Sequence, residues 1–289
     1  MCLAIRKHQV PGSCGDLGQV PANVDSDACS FWYRLHRVRE NTLKQRMRRG
    51  EPVRGVWLAL PSVECARLMA QMPADWLVID VEHGPMGAET MTRMVAAIAD
   101  ARGPAPLVRL ASSGVENVKR ALDAGAWGVI APMINTRAEA EAFAAAAKFP
   151  PDGQRSFGSA WAGLGFDVSM QDYLRIANEQ TIAMVQIENR SALDHLDEIF
   201  NVPGLDGVFV GPVDLAISLG LGPDSDSRHP DFLRALEEIL RAAQAAGLPA
   251  GIFCSSSDAA AERLRQGFVM VNVASDVGVL LQGVRSRFA

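Results

Sequence analysis

The feature that most constrains the fold is a regular alternation of short apolar runs with alanine-rich stretches of helical periodicity. Apolar runs separated by helices predict a parallel sheet covered by helices, because parallel neighbours need a crossover connection. The count of eight runs favours closure into an α/β fold of the (β/α)8 TIM-barrel type, with a doubly wound open sheet as the alternative. The predicted strands are "VRGVWLAL" (53–60), "WLVIDVE" (76–82), "PLVRLA" (106–111), "GVIAPMI" (128–134), "TIAMVQIE" (181–188), "GVFVGP" (207–212), "PAGIFCS" (249–255) and "VMVNVA" (269–274).

The chain divides into a short irregular start and one long periodic part. Residues 1–33 mix Gly, Pro, Asp and Ser without helical or strand periodicity, which predicts a poorly ordered N-terminal extension. Residues 34–289 are predicted to form a single-domain barrel, beginning with a basic helix-like stretch that ends at Gly50. The one long insertion, 150–180, carries the helix-like run "MQDYLRIANEQ", and long loops after barrel strands are commonly functional.

Composition excludes several classes of function. A formal net charge of −5, with arginines spread along the chain, predicts no nucleic-acid partner. The five cysteines form no C-x-x-C pair, which fits a reducing compartment, and we expect a cytoplasmic protein. No run approaches the roughly 20 apolar residues of a membrane span, so we expect no membrane partner.

Polar side chains stand where the predicted strands end, which is the catalytic face of such a barrel. In "DWLVIDVEHGP", His83 follows a strand core and has Asp80 and Glu82 beside it. This setting favours a general base tuned by carboxylates over a structural or surface histidine. Arg109, on the next strand, is suited to bidentate binding of an anionic substrate, although a lone arginine is more often a salt-bridge partner.

Two further carboxylates follow consecutive strands. Glu188 ends the fifth strand and Asp214 follows the sixth in "GPVDL", so neighbouring strands would bring them together. Two carboxylates with vacant positions suit a hard divalent ion such as Mg²⁺ or Mn²⁺ better than zinc, which prefers His and Cys. The alternative is that each carboxylate caps a following helix, and spacing alone leaves both interpretations open.

The lysines bear on the choice of chemistry. None of them lies on a predicted strand, so a Schiff-base mechanism is not expected. If the chain carries out chemistry on a carbonyl carbon, a metal would have to stabilise the enolate. The remaining histidines lack the setting of His83 and are predicted to lie on the surface or in the N-terminal segment. The lysines are Lys7, Lys44, Lys119 and Lys148, and these histidines are His8, His36, His195 and His229.

With these residues assembled, the chain resembles the HpcH/HpaI family of metal-dependent (class II) pyruvate aldolases. The resemblance runs from about Leu43 to the C-terminus. Several long blocks in the family's order carry it, namely "GVWLALPS", "DWLVIDVEHGP", "PLVRLA", "LDAGAWGVIAPM", "FPPDGQRSFG", "VQIENRSAL", "VPGLDGVFVGPVDLAISLG" and "AGIFCS".

The resemblance implies a role for each matching residue. Glu188 and Asp214 look like the metal ligands, His83 like the catalytic base, and Arg109 like the arginine that binds the keto acid. Asp123 of "LDAG" resembles an aspartate that works with the histidine, but the barrel prediction places it at the opposite end, so it would act from a neighbouring subunit. The pyruvate pocket would be lined by Trp57, Arg109, Gln186, Gly211, Pro212, Val213 and Asp214.

The family also implies a reaction and an assembly. The expected reaction is reversible cleavage of a 4-hydroxy-2-oxo acid to pyruvate and an aldehyde, with Mg²⁺ or Mn²⁺, or Co²⁺ as a further candidate, and no organic cofactor. A homohexamer is expected. The chain departs from the family's usual residues at Val81, Gly84, Ser156 and Phe253. These positions concern the pocket wall and the long insertion rather than the metal ligands. Two alternatives stay open: a citrate-lyase-type enzyme acting on an acyl-CoA ester, and a non-catalytic barrel.

Overall fold

Eight parallel strands close into a barrel in chain order in the computed structural model, which describes residues 38–288. The (β/α)8 prediction is confirmed, and the open doubly wound alternative is wrong, because β1 pairs with β8 as well as with β2. The predicted extension 1–33 lies outside the described residues. The strands are β1 (Val53–Leu58), β2 (Trp76–Asp80), β3 (Ala105–Arg109), β4 (Gly128–Ala131), β5 (Ile182–Ile187), β6 (Gly207–Val210), β7 (Ala250–Ile252) and β8 (Met270–Ser275).

Helices surround this barrel. In the described part of the basic stretch, the helix begins only at Thr42, because the Asn41 side chain accepts a hydrogen bond from the Lys44 N–H and caps it there. Among residues 38–288, no helix has the length and apolar content needed to cross a bilayer. The helices are α1 (Thr42–Arg48), α2 (Val63–Met69), α3 (Ala88–Asp100), α4 (Val115–Asp123), α5 (Arg137–Ala147), α6 (Met170–Gln180), α7 (Arg190–Leu193), α8 (Leu196–Phe200), α9 (Pro212–Ser218), α10 (Pro230–Ala245), α11 (Ser257–Gln266) and α12 (Asp276–Arg285).

The strands direct alternate side chains into two separate apolar layers. On β2, Leu77 and Ile79 join the large cluster between the sheet and the helices. Trp76 and Val78 join a second, aromatic-rich cluster that includes Phe209 and fills the barrel interior. Because side chains alternate along a strand, the next inward position on β2 is the last one, Asp80. The same period of two directs the last residues of several strands into the barrel.

A buried ionic cluster closes the N-terminal end of the barrel, around Asp206 just before β6. Lys44 Nζ lies 2.8 Å from one Asp206 carboxylate oxygen, and Lys148 Nζ lies 2.6 Å from the other. Both ammonium groups also donate to the carbonyl oxygen of Thr181. The cluster therefore fastens α1 and the end of α5 to the chain leading into β5, after the long insertion. That insertion contains the predicted helix, now α6.

We expect Asp206→Asn to lower the free energy of unfolding by about 3–5 kcal/mol, because two buried ammonium groups lose the carboxylate that they share. Lys44→Met is the matched control, since Lys148 keeps its partner and no uncompensated charge remains. Urea unfolding followed by circular dichroism measures both. Equal losses for the two variants would contradict the central role of Asp206.

The cluster also predicts a pH dependence of stability. Burial lowers the pKa of Lys44 to about 8, and the attraction of Asp206 only partly offsets it. Between pH 8 and the unfolded value of 10.5, the unfolded chain binds the proton that folded Lys44 has lost. The free energy of unfolding should therefore rise with pH in this window, relative to Lys44→Met. A difference between the two proteins that stays constant or falls with pH would contradict this.

Candidate active site

A cavity lined by polar and aromatic side chains opens at the C-terminal end of the barrel, where the inward positions of several strands meet. It has a volume of about 300 Å³. Its lining brings together nine residues that the sequence placed at the site with one further aromatic residue, Phe209, from the interior cluster. The predicted residues are Trp57, His83, Arg109, Gln186, Gly211, Pro212, Val213 and Asp214, with Phe253 at the pocket wall.

A buried ion pair between Asp80 and Arg109 forms the floor of this cavity. Arg109 Nε donates to Asp80 Oδ1 at 3.0 Å, and Nη2 donates to Oδ2 at 2.5 Å. Trp57 Nε1 also donates to Oδ2, at 3.1 Å, and the guanidinium lies 5.0 Å from the Trp57 ring centre. Burial alone would raise the pKa of Asp80, but hydrogen bonds and charge attraction from Arg109 outweigh it and hold the pKa below its usual value.

The same aspartate shapes the turn that carries His83. Strand β2 ends at Asp80, two residues earlier than predicted, and Asp80 Oδ1 accepts the backbone N–H groups of Glu82 and His83, each at 3.2 Å. Gly84 fits this tight turn because a Cβ there would lie 2.2 Å from the Asp80 carbonyl oxygen. The His83 imidazole is 65% exposed, with Nε2 4.0 Å from Glu82 Oε2. It therefore stands at the rim, open to a ligand.

Glu82 joins the ion pair from the turn. Its Oε2 atom lies 3.1 Å from Arg109 Nη1. Burial raises the pKa of Glu82, while Arg109 and His83 act in the opposite direction. Arg109 thus contacts two carboxylates, yet N–H groups on its terminal nitrogens remain for a ligand. Both interpretations of Arg109 from the sequence therefore apply, because it is a salt-bridge partner and is also suited to bind an anion.

Glu188 lies immediately after β5 and is 3% exposed. Its Oε1 atom accepts the Met133 N–H at 2.7 Å, and its Oε2 atom accepts the Gln186 side-chain amide. A Cβ on Gly211 would lie 2.3 Å from Oε2, so only glycine allows the chain just after β6 to pass this close to the Glu188 carboxylate. Burial raises the pKa of Glu188, the two hydrogen bonds oppose this, and the nearby carboxylates of Glu82 and Asp214 add to the rise.

Asp214 stands beside this carboxylate, in the first turn of α9. Glu188 does not cap a helix, because Asn189 accepts the N–H at the start of α7. The capping alternative is therefore wrong for Glu188. Among residues 38–288, no group of three or more His, Cys, Asp or Glu side chains is arranged to enclose a metal ion. A two-carboxylate site instead leaves coordination positions for water and substrate.

The charge of the cavity fits a divalent cation. Burial opposes the ionised form of Glu188, and no cation of the described chain pairs with it. The Gln186 Oε1 atom is also buried without a hydrogen-bond partner within the described residues. A cation with its water shell would compensate the negative charge and supply donors to that oxygen. The carboxylates around the cavity are Asp80, Glu82, Glu188 and Asp214, and among residues 38–288 the arginine that pairs with two of them is Arg109.

Asp123 lies elsewhere, as the barrel prediction required. It is the last residue of α4, and its Oδ1 atom accepts from Arg155 Nη2 at 2.9 Å. It lines a separate, open cavity of about 620 Å³, bounded by Ser156, Phe157 and other residues of the long insertion. Within this chain, Asp123 and His83 do not share a site.

Two contacts of the site go beyond what the sequence predicts. Asp80 was predicted only as a support for His83, although its inward register with Trp76 and Val78 was a signal that it would face Arg109. The hydrogen bond from the Met133 N–H to the Glu188 carboxylate is not predicted by any local sequence pattern, because it joins residues 55 positions apart. The predicted surface positions hold for His195 and His229, with side chains 44% and 48% exposed.

Comparisons with known proteins identify the family of the chain. A family model described as HpcH/HpaI aldolase/citrate lyase matches residues 54–283. The chain is 39% identical over 240 residues to a Rhizorhabdus wittichii protein named hydroxypyruvate/pyruvate aldolase, covering 83% of this chain and 94% of that protein. It is 34% identical over 249 residues to 2-keto-3-deoxy-L-rhamnonate aldolase of Shigella sonnei, covering 86% and 92% respectively.

Solved structures lead to the same family. The crystal structure of an HpcH/HpaI aldolase/citrate lyase family protein from Burkholderia cenocepacia superposes with a TM-score of 0.79 at 38% identity. The match covers 86% of this chain and 98% of that one. The family inferred from the sequence motifs is confirmed. The chain belongs to the HpcH/HpaI aldolase/citrate lyase family.

Proposed function

We propose that this chain is a divalent-metal-dependent aldolase, a carbon–carbon lyase that reversibly cleaves a 4-hydroxy-2-oxo acid to pyruvate and an aldehyde. Relatives named for pyruvate and 2-keto-3-deoxy-sugar-acid aldol chemistry support this reaction. The observation that carries the proposal is the cavity lined by Arg109, Asp214 and the exposed His83. The buried Glu188 carboxylate lies behind its wall, hydrogen-bonded to the lining residue Gln186 and repelled electrostatically by Asp214. These are the groups needed to bind a 2-oxo acid and to move one proton.

Glu188 and Asp214 would hold the cation, Mg²⁺ or Mn²⁺ with Co²⁺ as a further candidate, and no organic cofactor is required. When bound, such an ion supplies Lewis acidity that stabilises negative charge developing on the 2-oxo group. Arg109, fixed by Asp80 and Glu82, directs its remaining N–H groups at the substrate carboxylate and the developing oxyanion. Gln186 and the chain from Gly211 to Val213 would shape the pyruvate pocket.

His83 acts as the base in the cleavage direction. Its imidazole takes the proton from the C4 hydroxyl, directly or through a water, as the bond between C3 and C4 breaks and the aldehyde leaves. The electron pair of that bond passes into the enolate of pyruvate, and a proton added at C3 then gives pyruvate. In the addition direction the imidazolium returns that proton to the new alkoxide.

An aromatic wall borders the aldehyde side of the proposed site. Phe253 packs edge-on against Trp57, with ring centres 5.5 Å apart, and Phe209 lies at the same distance on another side of the indole. Bulky rings here narrow the space beyond the pyruvate unit. Short aldehydes are therefore the expected partners.

Asp123 would serve the active site of a neighbouring subunit. Its Oδ1 atom pairs with Arg155, and it borders a cavity open enough to receive another chain. This role requires a homo-oligomer, for which a hexamer is the family expectation. Cys65 and Cys254 are free thiols, which fits a reducing compartment, so we infer a cytoplasmic enzyme that acts without nucleic acid or a membrane.

Metal removal is the direct test of the proposed reaction. We expect EDTA-treated protein to release no pyruvate from 4-hydroxy-2-oxo acids, and Mg²⁺ or Mn²⁺ to restore the release. Glu188→Gln should not respond to the added metal, because a neutral amide is a poor ligand for a hard cation. Pyruvate is followed with a coupled lactate dehydrogenase assay.

Three outcomes would contradict the proposal. Full activity in the chelator would exclude the metal-dependent mechanism. Cleavage of acyl-CoA esters in place of 4-hydroxy-2-oxo acids would indicate the citrate-lyase alternative. Absence of turnover for every substrate, by protein that binds metal, would indicate a non-catalytic barrel.

We expect His83→Ala to lower kcat by roughly 100-fold or more, which is the usual contribution of a general base. His195→Ala is the matched control, because His195 is also partly exposed and lies 3.9 Å from a glutamate, Glu198. Steady-state kinetics measures both variants, with metal-binding titrations to verify that the cation site is intact. A His83→Ala enzyme with the kcat of the control would remove His83 from the mechanism.

A further inference from the structure

Met133, just after β4, has a backbone conformation that residues with side chains rarely adopt. Its φ angle is +55°, in the left-handed region, although it is not a glycine. Its side chain is 46% exposed, so packing of the side chain does not account for this conformation. Strained backbone of this kind persists only where the surrounding structure enforces it, and it concentrates at functional sites.

Contacts on both sides enforce the conformation. The Asn135 side-chain amide donates to the Met133 carbonyl oxygen at 2.8 Å. This one side chain thereby fixes the peptide group between Met133 and Ile134. Asn135 is itself held, because its backbone N–H donates to Glu139 Oε2 at 2.8 Å, within the capping box that begins α5. The buried Ile134 between them donates its N–H to the Gln186 carbonyl oxygen at 3.3 Å.

The enforced conformation directs one N–H group at a specific target. The Met133 N–H donates to Glu188 Oε1 at 2.7 Å, while the Gln186 amide bonds the other carboxylate oxygen. Both oxygens are thereby oriented, and each keeps a lone pair for a cation. Donors that orient a ligating carboxylate commonly change metal affinity by about 10–100-fold when they are lost.

We propose that Asn135 is a positioning residue of the cation site, acting by holding Met133 in the left-handed conformation that aims its N–H at Glu188. The inference rests on the proposed role of Glu188 as a metal ligand. It adds a specific chain of contacts, running from the α5 cap through Asn135 and Met133 to the carboxylate. The affinity of the site for its cation therefore depends on a loop that acts through Glu188.

The test is Mn²⁺ binding, measured by titration of the metal-stripped protein and detected through the electron paramagnetic resonance of free Mn²⁺. We expect Asn135→Ala to raise the dissociation constant by about tenfold, the lower end of the effect of such donors. Asn117→Ala is the matched control. Asn117, in the first turn of α4, also donates its side-chain amide to a residue of the loop after a barrel strand, but that residue is Ser112, which makes no hydrogen bond to Glu188.

A rescue separates positioning from a general loss of structure. Glycine adopts the left-handed conformation without help, so Asn135→Ala combined with Met133→Gly should recover much of the lost affinity. Met133→Val should weaken Mn²⁺ binding as Asn135→Ala does, because β-branched residues are disfavoured at positive φ. A merely structural role for Asn135 would give no recovery with glycine.

Each contrary result has its own meaning. The proposal would be overturned if Asn135→Ala bound Mn²⁺ as tightly as the wild type and Asn117→Ala do. It would also be overturned if Met133→Gly did not restore the Mn²⁺ affinity of Asn135→Ala. Glu188→Gln that binds Mn²⁺ like the wild type would remove the metal role itself, and the inference with it. If that variant loses binding while Asn135→Ala does not, the proposed function stands and only the positioning role is wrong.

Discussion

The buried ion pair between Asp80 and Arg109 is the interaction on which the rest of the site depends. Each residue occupies the last inward position of its strand, and β2 and β3 pair these two positions directly. Asp80 then uses its remaining capacity to bond Trp57 and the backbone of the His83 turn. One carboxylate thus connects the floor of the cavity, its aromatic wall and its exposed histidine.

Negative charge in excess of the available cations gives the cavity its chemical character. The pKa values of Glu82 and Glu188 are raised by burial, while that of Asp80 is lowered by its arginine. A carboxylate that is buried without a cation costs free energy, and a divalent ion would remove that cost. The opposite end of the barrel balances charge differently, with two lysines sharing Asp206, and serves to join segments of the chain.

Much of the site was predictable from residue types at strand ends. One cavity contains four of the predicted residues, because the C-terminal ends of parallel strands lie on the same face of the barrel. They are His83, Arg109, Gln186 and Asp214. Their chemical roles remain proposals. The Met133 N–H was not predictable, since its direction follows from a loop whose conformation is set by residues far along the chain.

The sequence by itself determined the fold and the family. Eight apolar runs separated by helical stretches predict a parallel barrel, and motifs in the family's order accompany them. Only the tertiary structure decided that Arg109 is held by two carboxylates and that Glu188 is oriented by Met133. These facts depend on distances between strands and loops, which arise when the barrel closes and are absent from any local pattern.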